Sequence, residues 1–422
     1  MKRIAVGEHS LFFDPSTYNL WRVEAPEAEP PVDHPQREEL VTAEVHVPTE
    51  LNKLTLLISE LCNFSCLYCC GNAYAKGQPM SRDILELALD RFMAIYRGQV
   101  RAIMFFGGEP MLNQPVLWHA MDRARALATR HDQPPPSFSM VSNGSLFTPA
   151  VVRRLADYRV RVTVSLDGPA RVHDRQRLTR DGRPTHALVT EGIARLRAAG
   201  VITNVEVTYS LRHREAGVTV LDTIQHAHEY GAGEVHLMPV CGDFPGLTPT
   251  DEELAGMVAE FRAAARYSIE SLAGDSPVIL ASAFRVVEVL SLRVQMPQLC
   301  FAGANSATVH ADGNVYPCYL LRDPSQWMGN IADAEFVDAF PIRSAGYRNK
   351  PKQDFAQCAE CWANKICFSC YGVEFPRHKR LMPPRPAFCS VQKGIMEGAL
   401  EGVAALRSDP MAWKRALDNI VK

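Results

Sequence analysis

Three cysteines on one short segment carry the first chemical signal of this chain: Cys62, Cys66 and Cys69 in LLISELCNFSCLYCC, a CxxxCxxC spacing. Three thiolates on one tight loop suit a metal site that keeps a coordination position for something else, whereas a structural zinc site has a fourth protein ligand nearby. His119 and His131 are too distant in sequence to be placed there. Cys70 adjoins Cys69, and neighbouring side chains diverge, so its plainer reading is a buried thiol with no ligand role. A second group lies far downstream at Cys300, Cys318, Cys358, Cys361, Cys367, Cys370 and Cys389, and Cys241 stands alone between the two. A CxxC pair with further thiols can make a zinc ribbon, but closed four-coordinate sites take four or eight thiols rather than seven.

The elements that must position these residues follow from the patterning. The chain has 422 residues, 47% of them hydrophobic and 22% charged, which predicts a globular protein of two or three domains. A formal charge of −2 gives no global field to attract nucleic acid or an anionic membrane. MKRIAVGEHSLFFDPS lacks a signal-peptide core and no stretch approaches the ~18 apolar residues of a spanning helix, so a cytoplasmic location is expected. In that reducing compartment twelve cysteines read as metal ligands rather than disulfides.

From Leu51 onward β-type runs alternate with helical ones, the signature of β/α units on a parallel sheet. Strands are predicted at 54–59, 102–107, 137–143, 160–167, 203–210 and 234–240. Helices are predicted at Arg82–Tyr96, Pro115–Arg130, Ala150–Asp157, Ala187–Ala199 and Val218–Glu229. Six units are too few to close a barrel of eight, so the expected object is an open (β/α)6 barrel with reactive groups at the C-terminal strand ends. Four divisions are expected: an appendage and linker at 1–50, the barrel with bridging helices at 51–292, a Cys-rich region at 293–395 with little helical periodicity before about Ser390, and a closing helix at 396–422.

Polar motifs sit at the strand ends. After the second comes FFGGEP, where Gly107 and Gly108 let backbone approach a ligand and Glu109, before Pro110, offers an acceptor for an ammonium. After the third come Ser142, Asn143 and Gly144. After the fourth come Ser165, Leu166, Asp167 and Gly168, whose polar groups suit ribose hydroxyls, and then the basic loop RVHDRQRLTRDGR.

Taken together, CxxxCxxC with an aromatic, Tyr68, before the last Cys, followed by GGEP and the two polar turns, resembles the radical S-adenosylmethionine (SAM) enzymes. The resemblance implies that Cys62, Cys66 and Cys69 bind three irons of a four-iron four-sulfur cluster while SAM chelates the fourth. It implies that one electron then cleaves SAM to a 5′-deoxyadenosyl radical that abstracts hydrogen from a substrate. By the same analogy HDxxR (His173, Asp174, Arg177) resembles one branch of the superfamily, with Arg177 pairing with the SAM carboxylate.

The downstream group resembles the SPASM domain of radical SAM enzymes that modify peptides and proteins, through Cys300, Gly313 and Cys318 and the later CxxC pattern. The resemblance implies two auxiliary four-iron four-sulfur clusters, three clusters in all: Cys300, Cys318 and Cys370 at the first, and Cys358, Cys361, Cys367 and Cys389 at the second. One spacing departs, with two residues rather than three between Cys367 and Cys370. Seven ligands leave the first auxiliary cluster one short, and Cys241 reads more plainly as a passive strand-end thiol than as a ligand.

The expected function is oxidative modification of a ribosomally made peptide by crosslinking, with reduced flavodoxin or ferredoxin as electron donor and no nucleic-acid or membrane partner. LFFDPSTYNLWRVE reads as a strand–turn–strand able to pair with an extended leader, or more blandly to cap the barrel. Sulfatase maturation is the alternative and requires a carboxylate base, for which Asp243 has no distinguishing feature. A non-catalytic zinc or electron-transfer protein is the alternative from another class.

Overall fold

The computed structural model describes residues 1–6, 9–23, 41–42, 50–69, 77–348 and 350–421. Cys70 and most of the acidic, Pro-rich linker lie outside the described residues. The central sheet starts with Lys53–Ser59 (β1), Ala102–Gly107 (β2), Ser137–Ser142 (β3), Arg161–Ser165 (β4), Thr203–Tyr209 (β5) and Glu234–Pro239 (β6), which lie side by side in chain order, all parallel. Parallel neighbours need crossovers, and the helices Arg82–Ile95, Gln114–Arg130, Pro149–Asp157, His186–Ala198 and Val220–Glu229 provide them. The first shows the local logic. Ser81 caps it by accepting from the Ile84 N–H, and Leu85, Ala88, Leu89, Phe92 and Met93 fall on one buried face at helical spacing.

All six strands and five helices stand within a few residues of their sequence-based bounds. The bridging helices after the sixth strand are Asp251–Glu270 and Ala281–Leu292, separated by a short strand Ile279–Leu280 (β7) that pairs parallel to β6. The Cys-rich region departs from expectation. Its strands Ser306–Val309 (β8), Asn314–Tyr316 (β9) and Gly329–Asn330 (β10) extend the barrel's own sheet, β8 pairing parallel to β1. The result is a linear, unclosed ten-stranded sheet. The region contains a further helix, Phe336–Arg348, whose Pro341 and low amphipathicity hid it from periodicity. The closing helix begins at Pro386, so it carries Cys389 in its first turn.

That closing helix packs along Asp251–Glu270 through Gly394, Gly398 and Gly402, one face of successive turns. A Cβ added at Gly398 would stand 2.1 Å from the Arg262 carbonyl oxygen, so only glycine permits this approach. Arg262 then pairs with Glu397 and Glu401 on the same helix.

At the N-terminus Lys2–Val6, His9–Asp14 and Asn19–Val23 form a separate antiparallel sheet, which includes the expected strand–turn–strand. It rests on the C-terminal region: Phe13 is edge-on to Trp362, and the Tyr18 hydroxyl donates to the carbonyls of Lys365 (3.0 Å) and Val294 (3.2 Å).

Candidate active site

The C-terminal ends of β1 to β5 converge on the CxxxCxxC loop. Three backbone bonds hold that loop to the stretch after β4: Ser65 N–H donates to the Leu178 carbonyl, Leu67 N–H to that of Gln176, and Arg180 N–H to that of Asn63. Thiol contacts define the rest. The Cys62 sulfur accepts from the Phe64 N–H at 3.4 Å and lies 3.8 Å from the Asn143 amide nitrogen. Cys66 is buried between Cys62, Cys69, Arg177 and Asp167, and burial pushes its thiol up to about 12.

Close backbone approach explains the glycines of GGEP. Gly107 has φ +134, a region L side chains avoid, and a Cβ there would lie 2.1 Å from the Ser59 carbonyl oxygen. Gly108 donates to that same carbonyl at 2.7 Å. Glu109 is thereby buried, with Pro110 starting the next turn. Its carboxylate accepts from Met111 N–H (3.0 Å), the Ser142 hydroxyl (2.9 Å) and Asn143 N–H (2.7 Å). Burial nevertheless outweighs these donors and raises its pKa from 4.5 to about 7, so a cation beside it would favour the ionised form. Ser142 and Asn143 thus orient Glu109, and Asn143 also bridges to Asn63 on the cysteine loop (2.8 Å).

Protein donors engage both oxygens of Asp167, the residue expected to meet ribose hydroxyls. Oδ2 accepts from Tyr68 Oη, Gln176 Nε2 (2.7 Å) and Arg177 Nε (2.8 Å), and Oδ1 from Thr208 N–H (2.9 Å). Burial opposes its ionisation, but the Arg177 guanidinium prevails and holds it below the usual carboxylate value. Arg177, expected at the SAM carboxylate, is thus anchored by Nε, with its guanidinium over the Tyr68 ring at 5.3 Å. The other HDxxR residues are structural in this geometry. His173 is fully buried, held neutral by burial with a pKa of about 3, and accepts from Asp167 N–H; Asp174 accepts from the N–H groups of Thr185 and His186.

Strand register brings together residues that sequence reasoning missed. Ser165 of β4 pairs with Glu206 of β5, and Glu206 with His236 of β6, so the three share the face of the sheet opposite Val205 and Val235. Burial raises the Glu206 carboxyl, with Arg177 and His236 as its charged neighbours. Read alone, TNVEVTYS shows only an alternating strand; nothing local says that its polar face looks onto a site.

The downstream thiols gather in two places. Cys358, Cys361, Cys367 and Cys389 line one cavity of about 100 Å³ with Lys352, whose ammonium donates to the carbonyls of Asn364 and Cys367. The hydroxyl of Ser369, also at this cavity, is buried without a hydrogen-bond partner among the described residues. Cys370 lies within electrostatic reach of Cys300 and Cys318. Burial pushes Cys367 up to about 12 and Cys318 and Cys389 up to about 11, so their thiolates require compensating positive charge. None of the eleven described cysteines forms a disulfide, and among the described residues no three His, Cys, Asp or Glu side chains converge tightly enough for one metal ion. Thiols grouped but held apart fit a cubane, whose four irons occupy separate corners, better than a single zinc. His119 pairs with Glu86 away from these thiols. Among the described residues no helix is long and apolar enough to cross a membrane.

Comparison with known proteins gives matches to two family models. Residues 56–227 match the model of the radical SAM superfamily, and residues 300–370 that of SPASM, an iron–sulfur cluster-binding domain. The radical SAM cyclopropyl synthase TigE of Paramaledivibacter caminithermalis is 29% identical over 149 residues, 32% of this chain and 30% of that one. The alignment thus spans under a third of that relative's length. Native anSMEcpe with bound AdoMet and Kp18Cys peptide superposes with a TM-score of 0.69 at 18% identity, covering 85% of this chain and 100% of that one. Streptococcus suis SuiB bound to precursor peptide SuiA gives 0.55 at 14% identity over 82% and 77%. Likeness at such identities is a likeness of fold.

Proposed function

Starting from a chain that belongs to the radical SAM superfamily and carries a SPASM domain, we propose that it is a peptide maturase that uses SAM to modify a ribosomally made peptide oxidatively, forming a crosslink. The observation that carries this reading is the meeting of three thiols, a buried carboxylate lacking a cation and the Asp167–Arg177 pair at the strand ends. When bound, the cluster and SAM supply a 5′-deoxyadenosyl radical that takes hydrogen from the substrate.

The residues divide that work. Cys62, Cys66 and Cys69 hold the cluster. Glu109, oriented by Ser142 and Asn143, receives the methionyl ammonium alongside the Gly107–Gly108 backbone. Asp167 acts as a positioning residue that fixes Tyr68 and Arg177, leaving the Arg177 terminal nitrogens to face the methionyl carboxylate. Ser165, Glu206 and His236 line the face that meets ribose and substrate. The neighbours solved with peptides support a peptide substrate. The two downstream thiol groups would hold auxiliary clusters able to accept the electron released when a new bond closes, and reduced flavodoxin or ferredoxin in the cytoplasm would supply the initiating electron.

The test separates the two roles by measuring 5′-deoxyadenosine and peptide product from anaerobically reconstituted enzyme. Cys62→Ala should abolish SAM cleavage, whereas Cys367→Ala should leave cleavage without product. Equal loss of cleavage in both folded variants would contradict the division. Stoichiometric zinc without iron in the purified protein would overturn the reading altogether.

A further inference from the structure

Three thiols leave one corner of a cubane without a protein ligand, and a further sulfur, that of Cys241, lies within electrostatic reach of one of them, Cys370. Cys241 follows Pro239, the last residue of β6, and its thiol donates to the Pro239 carbonyl at 3.3 Å. The loop it begins is fastened to the segment that carries Cys370. Arg385 donates to Asp251 Oδ1 at 2.6 Å and to the Pro249 carbonyl at 3.2 Å, and pairs with the buried Glu374, four residues beyond Cys370. Asp243, Phe244 and Gly246 of the loop face Arg377 and Arg385 across a cleft of about 350 Å³. Cys318 is drawn to the same spot because Gly372 abuts the Leu320 side chain, with the Gly372 N–H donating to the Cys370 sulfur at 3.2 Å. Cys300, Cys318 and Cys241 all lie within electrostatic reach of Cys370.

We propose that Cys241 is the fourth thiolate of the first auxiliary cluster, joining Cys300, Cys318 and Cys370. The inference rests on the reading of the downstream thiols as cluster ligands. It closes both auxiliary clusters with four cysteines each, so neither keeps an iron for a substrate thiolate, and the first exchanges electrons with the substrate without bonding to it. It also makes that cluster a covalent clamp between the end of a barrel strand and the C-terminal region.

The test uses the full chain with Cys62, Cys66 and Cys69 all changed to alanine, so that only auxiliary clusters form on anaerobic reconstitution. A four-iron cluster with three cysteine ligands sheds its fourth iron on mild ferricyanide oxidation and shows the electron paramagnetic resonance of a three-iron cluster, whereas one with four cysteines resists. The triple variant is expected to resist. Adding Cys241→Ala should produce the three-iron signal and the loss of one iron per chain. A three-iron signal of equal size with Cys241 intact would overturn the assignment while leaving the clusters themselves in place, and needs no folding of the Cys241 variant. A triple variant that binds no iron would overturn the cluster reading and this inference with it.

Discussion

At the scale of single residues, Glu109 is the group whose chemistry is most sharply set by its surroundings. Burial raises its pKa from 4.5 to about 7, so folding favours the protonated acid. Its contribution to the stability of the ligand-free protein is therefore fully present below about 4.5 and disappears as pH rises through about 7. An ammonium ligand reverses that preference, because it pairs only with the carboxylate. SAM affinity is thus expected to rise with pH toward a plateau above about 7, falling up to ~10-fold for each pH unit below it. Glu109→Gln should weaken binding by ~10-fold or more and remove this dependence, as read by equilibrium dialysis of SAM across pH on cluster-loaded protein. Unchanged pH dependence in the glutamine variant would place the titrating group elsewhere.

At the scale of elements, the pairing of Asp251–Glu270 with Pro386–Arg407 decides how the barrel holds its C-terminal region. The glycines at 394, 398 and 402 let the two backbones touch, and Arg262 bridges to Glu397 and Glu401 beside them. Gly398→Val should force the helices apart and lower stability by about 1–3 kcal/mol, seen as a lower midpoint of thermal unfolding. Because Cys389 lies in the first turn of that helix and lines the cavity with Cys358, Cys361 and Cys367, the same variant is expected to retain less iron. Gly346, around which a Cβ would meet nothing within 4 Å, supplies the control: alanine there should leave iron content unchanged.

At the scale of the whole molecule, the change in composition near residue 293 is not a break in the structure. β8 pairs with β1 along Ser306–Val309, so the Cys-rich region covers an edge that the barrel otherwise presents bare, and Phe106 of β2 packs on Tyr319 at 4.2 Å. A chain ending at residue 299 is therefore expected to fold poorly and aggregate through the exposed β1 edge, checked by size-exclusion chromatography and circular dichroism. A monomeric, fully structured fragment would contradict the shared sheet.

Much of this was legible in the amino-acid order because it is local. Cysteine spacing, glycines beside a carboxylate, and runs that are apolar throughout or at helical spacing report directly on loop, turn, strand and helix. The six strands, the five crossover helices and the grouping of Cys358, Cys361 and Cys367 are of this kind. Tertiary structure decided what depends on through-space proximity. It made Asp167 the anchor of Tyr68 and Arg177, because donors from three separate segments reach it. It placed Glu206 and His236 on the site's face through strand register, which no single strand can specify. It brought Cys241, just past the end of β6, within electrostatic reach of Cys370, a proximity that no local pattern can specify.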